Sequence, residues 1–138
     1  ALKNLLEYVR VMTKGNIITV TGSAGDRDKL KRPEMGKIVT SLSNYVIFTT
    51  DDPRSEDPND IVDDMVSDLD PDTFNYKRVM DRSTAIKEAL NMAKEGDVVV
   101  IAGRGNDTFM PFGNQFIRCN DYEEVYKNLK DEVLNSVW

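Results

Sequence analysis

Hydrophobic and polar residues alternate along this chain in blocks whose spacing changes repeatedly from helical to extended. Leu2, Leu5, Leu6 and Val9 recur at intervals of three and four residues and predict an opening helix that ends near Gly15. The apolar runs in "NIITVTG", "NYVIFTT" and "DVVVIAG" instead predict buried strands. A fourth, more polar segment, "FNYKRVM", predicts a weaker strand between the last two of these.

Helical segments separate the first strands. Pro33 suits the first turn of a helix that runs to about Ser43, because proline lacks the amide hydrogen that a first turn does not need. The segment "NDIVDDMVSDL" is amphipathic and places Ile61, Met65 and Leu69 on one face.

The second half of the chain contains two further helices. Either Asp81 or Ser83 is expected to cap a helix that closes at Gly96. A hairpin-like segment around Gly113, which includes "QFIRC", leads to a final helix from about residue 121 to residue 134.

Strands that alternate with helices of ten or more residues favour right-handed crossovers and a largely parallel sheet. The pattern therefore predicts an α/β, Rossmann-like three-layer fold with helices on both faces of the sheet. The short strand after Gly113 is expected to lie antiparallel at one edge. No repeat or linker divides the chain, so residues 1–138 are expected to form a single domain.

Composition supports a folded domain and narrows its chemistry. The chain is 40% hydrophobic and 30% charged, and its net charge of -6 argues against a nucleic-acid surface. Histidine is absent, which excludes Ser-His catalysis and His-metal ligation within these residues. The single cysteine, Cys119, cannot form an internal disulfide. No apolar stretch approaches the roughly 18 residues of a membrane span, and no signal peptide is recognisable, so we expect a cytoplasmic location.

Three polar loops follow predicted strands: "GSAGDRD", "DDPRSEDP" and "GRGND". Ligands of open α/β sheets bind outside the carboxyl ends of the strands, so these loops are expected to share one rim. That rim would carry both charges, contributed by Asp26, Arg27, Asp28, Lys29, Lys31, Arg32, Asp51, Asp52, Arg54, Arg104 and Asp107. A mixed rim suits a ligand with carboxylate or phosphate groups as well as ammonium groups.

Each loop also has a purely structural interpretation. Gly22 and Gly25 fit a tight turn beside a solvated run of cations, and Asp51 fits a turn with Pro53. "GRGND" lacks the third glycine of a dinucleotide fingerprint, and "GSAGDRDKLK" is not a Walker A loop. Aromatic residues at helical spacing, such as those at positions 122 and 126, fit a core. Only the coincidence of three loops at one rim favours a functional site.

Four segments, in this order and spacing, resemble the C-terminal domain of the Mur ligases: "GDRDKLKRPEMG", "YVIFTTDDPRSEDP", "DRSTAIKEAL" and "GDVVVIAGRGND". The chain is most similar to the type that adds the third amino acid to the peptidoglycan precursor. The resemblance extends from about residue 16 to residue 121. It implies an ATP-dependent amide ligase of cell-wall biosynthesis, which supports cell shape and division.

The resemblance also implies a longer enzyme. In that family a first domain binds the UDP-sugar peptide, and a central domain holds ATP and Mg²⁺ with a P-loop; neither is among these 138 residues. The C-terminal domain binds the incoming amino acid and closes over the ATP. The expected partners are therefore the amino acid, ATP and the UDP-sugar peptide. We expect the isolated chain to be monomeric, without nucleic-acid or membrane binding.

Site residues follow from the resemblance position by position. Arg54 would pair with a carboxylate of diaminopimelate, and the carbonyl of Gly103 would accept from its distal amine. The implied amino-acid-binding set is Arg27, Asp51, Asp52, Arg54, Gly103 and Asp107. The implied loop on the nucleotide side contains Asp26, Lys31 and Arg32. The resemblance assigns no catalytic side chain and no metal ligand to this domain.

The chain departs from the family pattern at two places. Asp52 stands where asparagine is usual, and "GRGND" replaces "GKGHE", so that Asp107 falls where glutamate is usual. The extra carboxylate of Asp52 favours a cationic side chain such as that of lysine, whereas Arg54 favours diaminopimelate. The sequence leaves both amino acids open.

Two other functions stay open at this point. One is an accessory Mur-like ligase with a different acceptor. The other is a binding module that senses a nucleotide or an amino acid and catalyses nothing. The native start codon of such a module would lie just before Leu2. The opening helix lacks a leader or cap, however, and such a helix is expected at a boundary within a longer chain.

Overall fold

The computed structural model describes residues 2–26, 28–104 and 109–137. The centre of the fold is a parallel sheet of four short strands: β1 (Ile17–Thr21), β2 (Tyr45–Phe48), β3 (Tyr76–Arg78) and β4 (Val98–Ile101). Their spatial order is β3-β2-β1-β4. Thr19 aligns with Val46 of β2 and with Val100 of β4, so β1 is a central strand. The polar segment forms β3, which explains its composition because β3 is an edge strand.

Helices cover both faces of this sheet. They are α1 (Leu2–Met12), α2 (Arg32–Leu42), α3 (Pro58–Val66), α4 (Arg82–Met92) and α5 (Asp121–Val137). Helices α1, α2 and α3 contribute to the hydrophobic core on one face, whereas α4 and α5 pack on the other. The predicted Rossmann-like three-layer fold is therefore confirmed. None of the described helices is long and apolar enough to cross a bilayer.

The strands are apolar on both sides because each side faces a helical layer. Ile17 and Phe48 point into the core formed with α1, α2 and α3. Ile18 and Ile47, their neighbours in the chain, point into the core formed with α4. Successive side chains of a strand point to opposite faces, so a strand that is covered on both faces shows no polar alternation.

Two helices end before the expected residue, and the structure decides between the two caps that the sequence left open for one of them. Helix α3 ends at Val66, so Leu69 lies beyond it, in a turn whose amide donates to the carbonyl of Val66. Of the two caps expected for α4, Asp81 is the one observed, because its side chain accepts from the amide of Thr84 at 3.1 Å. Helix α4 ends at Met92 and not at Gly96.

The expected antiparallel edge strand is wrong. Strands β5 (Phe109–Phe112) and β6 (Gln115–Arg118) pair with each other and form a separate two-stranded sheet. Their turn contains Gly113, whose φ of +61° is readily adopted by glycine. A local hairpin satisfies half of its backbone groups by itself, so the same pattern predicts either arrangement.

The aromatic residues of α5 also differ from the expectation. Tyr122 and Tyr126 were expected in a core, but 65% and 71% of their surfaces are exposed. They line an apolar groove together with Ile101 and Leu129. Helical spacing alone therefore did not identify a buried face here.

Candidate functional site

The first two loops pack directly against each other at the carboxyl edge of the sheet. The amide of Gly25 donates to the carbonyl of Asp52 at 3.0 Å. A Cβ atom on Gly25 would lie 1.8 Å from the carbonyl oxygen of Pro53, and one on Gly22 would lie 2.3 Å from that of Thr49. Such close approaches exclude any side chain, so these glycines fix the spacing of the two loops.

Asp26 joins the same two loops through its side chain. Its carboxylate accepts from the hydroxyl of Ser55 at 2.5 Å, and its amide donates to Glu56 at 2.5 Å. Asp28 instead caps a 3₁₀ turn by accepting from the amide of Leu30 at 2.9 Å. The acidic residues of this loop are therefore used in local structure.

Arg32 anchors the first loop from beneath. Its guanidinium is 1% exposed and contacts Glu56 at 2.7 Å and Asp64 at 3.0 Å. Arg32 was expected in the loop on the nucleotide side, but its side chain has almost no exposed surface for a nucleotide. Lys31 is exposed, so of these two cations it is the one available for such a contact. The helix begins at Arg32 and turns that residue inward.

Hydrogen bonds from Arg32 hold the pKa of Glu56 at about 2, well below the ordinary value of 4.5, with smaller support from the Asp26 amide and Lys29. A carboxyl whose folded-state pKa is lowered contributes stability above its unfolded pKa and loses that contribution as the pH falls towards the folded value. We therefore expect the free energy of unfolding to decrease between about pH 4.5 and pH 2, partly through Glu56.

Chemical denaturation across this pH range, for wild type and Glu56→Gln, measures that contribution. The variant should show a shallower decrease than wild type, since it lacks the carboxyl that must be protonated. Glu95→Gln is the matched control, because Glu95 is an exposed residue in the turn before β4. Identical pH slopes for wild type and Glu56→Gln would show that the Arg32 interaction does not contribute to acid stability.

Backbone strain is concentrated in the same two loops. Among the described non-glycine residues, positive φ angles occur at Asp26 (54°), Asp52 (38°) and Arg54 (55°). A non-glycine residue in this region costs free energy that the surrounding structure must offset, and such residues cluster at functional sites. All three are residues that the sequence analysis selected.

Arg54 extends from this turn towards a cleft. Its Nη1 donates to the carbonyl of Gly25 at 2.9 Å, and its own carbonyl accepts from the amide of Gly113 at 2.5 Å. The cleft has a volume of about 760 Å³ and is also lined by Thr50 and Asp81. Within the described part of the chain, no carboxylate forms an ion pair with the Arg54 guanidinium. Its charge is therefore available to a ligand.

Asp51 and Gly103 bring the second and third loops together. Asp51 is 8% exposed, and a Cβ atom on Gly103 would lie 2.1 Å from its Oδ2. Burial raises the pKa of Asp51, an effect that Arg82 and Arg104 oppose. No hydrogen bond reaches this carboxylate from any residue that the structure describes. The interpretation of Asp51 as the acceptor of a turn is therefore not supported, and its carboxylate is available to a ligand.

A buried ion pair that the sequence analysis missed supports this arrangement. Arg82, the first residue of α4, donates to both carboxylate oxygens of Asp121 at 2.8 Å. It also donates to the carbonyls of Thr50 and Ala102 at 3.1 Å, and so joins the ends of β2 and β4 to α5. No signal in the sequence identifies two partners that are 39 positions apart.

A second buried ion pair joins the two places at which the chain departs from the family pattern. Arg104 is 3% exposed and donates to the carboxylate of Asp52 and to the carbonyl of Cys119. The two departures noted in the sequence, at Asp52 and in "GRGND", are thus in direct contact. Burial raises the pKa of the Cys119 thiol, and the nearby Arg104 opposes this effect.

These contacts join the described parts of the three loops, and the described part of the third loop contributes Gly103 and Arg104. Two of the selected residues, Arg27 and Asp107, lie outside the described residues. The assignment of Asp51, Asp52, Arg54 and Gly103 to an amino-acid site stays a prediction, although these four residues are now in one connected cluster.

The described residues do not form a complete site for ATP or Mg²⁺. Within residues 2–26, 28–104 and 109–137, no group of three acidic, cysteine or histidine side chains is arranged to hold a metal ion. Arg32 is buried, and the carboxylate of Asp26 is bound to Ser55. The described rim of this α/β domain therefore presents the guanidinium of Arg54 and the carboxylate of Asp51, without a metal site among the described residues.

Comparison with known proteins identifies the family. A model described as "Mur ligase, glutamate ligase domain" matches residues 1–105. The chain therefore belongs to the Mur ligase family and corresponds to its C-terminal domain.

Relatives and a solved structure agree with this assignment. The chain is similar to UDP-N-acetylmuramoyl-L-alanyl-D-glutamate--2,6-diaminopimelate ligase of Clostridium perfringens, with 46% identity over 129 residues, covering 94% of this chain and 26% of that protein. The ligase of the same name from Halalkalibacterium halodurans is 44% identical over 131 residues, which cover 95% of this chain and 26% of that protein. A solved structure of such a ligase superposes on this chain with a TM-score of 0.89 and 33% sequence identity. The superposition covers 95% of this chain and 27% of the solved one. The chain spans about a quarter of the length of the relatives it matches.

Proposed function

We propose that this chain is the amino-acid-binding domain of an ATP-dependent ligase that joins 2,6-diaminopimelate to UDP-N-acetylmuramoyl-L-alanyl-D-glutamate in peptidoglycan precursor synthesis. The observation that carries the proposal is the pair of available charges at the rim. Arg54 has no carboxylate partner, and Asp51 has no hydrogen-bond donor, among the described residues.

The distal end of diaminopimelate carries charges that are complementary to this pair. It carries a carboxylate and an ammonium group on one carbon, so that it can use a guanidinium and a carboxylate together. Lysine ends in an ammonium group alone and would leave Arg54 without a partner. The sequence argument for lysine was the extra carboxylate of Asp52, but that carboxylate is bound to Arg104. The two available charges, and the pairing of Asp52 with Arg104, therefore support the choice of diaminopimelate.

The remaining parts of the proposal concern the whole protein. ATP and Mg²⁺ would be held mainly by polypeptide outside this chain, and Lys31 would face the nucleotide. The residues of this chain would bind the amino acid and orient its reactive amine, since placing two reactants in the correct geometry lowers a large part of an activation barrier. We propose a monomeric protein in the cytoplasm, where the nucleotide-linked precursor and ATP are available.

The proposal is tested with the full-length protein that contains this chain. Phosphate release is measured with ATP, UDP-N-acetylmuramoyl-L-alanyl-D-glutamate and either diaminopimelate or lysine, and the product is weighed by mass spectrometry. We expect turnover that depends on diaminopimelate and a product heavier by one diaminopimelate residue. Efficient turnover with lysine alone would overturn the choice of substrate, and no turnover with either would overturn the assignment as a ligase of this type.

The isolated 138-residue chain is expected to fold as a monomer without ligase or ATPase activity. The physical reason is that phosphoryl transfer requires a cradle for the γ-phosphate and its metal ion, which the resemblance places in another domain. Sedimentation and circular dichroism measure the folded monomer, and a phosphate-release assay measures turnover. Substrate-dependent release above that of a heat-inactivated sample would contradict this prediction.

A further inference from the structure

A fully buried guanidinium lies where the second and third loops of the site meet. The side chain of Arg104 is 0% exposed, although a charged residue in a polar loop was expected at the rim. It donates to the carboxylate of Asp52 and to the carbonyl of Cys119, just before α5. Arg104 is therefore an internal brace between the loop that carries Arg54 and the end of β4.

Asp52 connects this brace to the rest of the site. Its carbonyl accepts from the amide of Gly25 at 3.0 Å, and its φ angle is 38°. Arg54, two positions later, also has a positive backbone φ angle, of 55°. The Arg104 contact thus holds the strained turn from which the Arg54 guanidinium extends.

The same contact changes the charge that the site offers to a ligand. Asp52 is next to Asp51, and 19% of its side chain is exposed, so a free carboxylate there would add a second negative charge to the rim. Pairing with a buried guanidinium compensates this charge within the protein. Among the described residues of the amino-acid site, the carboxylate of Asp51 and the guanidinium of Arg54 then remain for the ligand.

We propose that Arg104 is a positioning residue that sets amino-acid specificity, because by binding the Asp52 carboxylate it withholds that charge from the substrate. With Asp52 compensated, the site favours a side chain that ends in both ammonium and carboxylate over one that ends in ammonium alone. This inference rests on the proposed function and adds to it the residue that enforces the choice of substrate.

Two opposite substitutions test the inference in the full-length protein. Arg104→Met releases the Asp52 carboxylate, so the ratio of kcat/KM for lysine to kcat/KM for diaminopimelate should rise by about tenfold or more. Asp52→Asn keeps an oxygen that accepts from Arg104 but removes the negative charge, so the same ratio should fall below that of wild type. The double variant Asp52→Asn/Arg104→Met should return towards the wild-type ratio, since it removes both charges.

The matched control is another arginine-aspartate pair. Arg78 donates to Asp63 at 2.7 Å between β3 and α3, so Arg78→Met removes an ion pair outside the three loops. The ratio should be unchanged in this variant. Kinetic constants are measured separately for each amino acid at saturating ATP and UDP-sugar peptide.

Opposite shifts in the two single variants would support the inference. Equal losses for both amino acids in Arg104→Met, with no shift in Asp52→Asn, would overturn it and leave Arg104 as a purely structural brace. If Arg104→Met does not fold, Asp52→Asn decides the matter, since an unchanged ratio there overturns the inference. A wild-type protein that uses neither amino acid would overturn the proposed function, and the inference with it. A wild-type protein that uses diaminopimelate, with the same ratio of kcat/KM values in every variant, would overturn the inference alone.

Discussion

Gly103→Ala is expected to weaken both the fold and the amino-acid site. The new Cβ atom would lie 2.1 Å from Oδ2 of Asp51, and the φ of Gly103 is +114°, a conformation that L side chains rarely adopt. Backbone strain and overpacking together should lower the free energy of unfolding by about 2–4 kcal/mol. Because the Asp51 carboxylate must move to relieve the clash, the amino-acid KM of the full-length protein should rise by about tenfold or more.

Gly96→Ala is the matched control for this prediction. Gly96 also has a positive φ, +89°, and lies in the turn before β4. Apart from Gly96 and its two chain neighbours, no described residue has an atom within 4 Å of the position of its Cβ. This variant should lose about 1 kcal/mol and keep the wild-type amino-acid KM. Denaturation measures the free energy of unfolding of both variants, and amino-acid titration measures their KM. Together these measurements separate the effect of backbone strain from the effect of the clash with Asp51. A wild-type KM in Gly103→Ala would remove Gly103 and Asp51 from the site.

Arg54→Lys should have the second large effect. A guanidinium can bind a carboxylate through two parallel hydrogen bonds, whereas an ammonium group is a point charge and cannot reproduce that planar fork. Loss of one partner of a desolvated charge pair commonly costs about 2–5 kcal/mol, which corresponds to an amino-acid affinity about 30-fold weaker or more. The KM for ATP should change far less.

Separate titrations of amino acid and ATP test this expectation on the full-length enzyme. Arg78→Lys is the control, because Arg78 forms a surface pair with Asp63, and such pairs contribute little. A solvated Arg54 would behave like this control. An unchanged amino-acid KM and kcat in Arg54→Lys would therefore exclude a direct contact with the substrate.

The sequence was sufficient to predict the parallel sheet and the meeting of the three loops. Both follow from local rules, because an apolar run between helical segments has few alternatives to a buried parallel strand. The loops that leave such strands must then lie at one edge. The strained turn around Asp52 and Arg54 was already marked by the "DDPR" motif, although the motif does not reveal the left-handed angles.

The two buried ion pairs could not be predicted in the same way. Arg82 and Asp121 are 39 positions apart, and Arg104 and Asp52 are 52 positions apart, so no local pattern connects them. Their burial depends on the three-dimensional packing of α4, β4 and α5.

A run of charged residues in the sequence can also include one cation that is buried in the structure. In "KLKR" the exposed Lys31 and the buried Arg32 are neighbours, and only the start of α2 determines which one faces inward. The sequence analysis therefore assigned both to the same loop surface, although their surroundings are opposite. The short strand after Gly113 was misplaced for a related reason, since the hairpin-like segment indicates a strand but not the sheet to which that strand belongs.

A crystal structure of the full-length protein with bound diaminopimelate would show whether Arg54 and Asp51 hold the amino acid. We expect one carboxylate of the ligand within hydrogen-bond distance of the Arg54 guanidinium, and an ammonium group on the carboxylate of Asp51 beside Gly103. It also predicts that Arg104 stays bound to Asp52 and does not contact the ligand. Diaminopimelate bound away from this rim, or a ligand carboxylate on Arg104 instead of Arg54, would contradict the account.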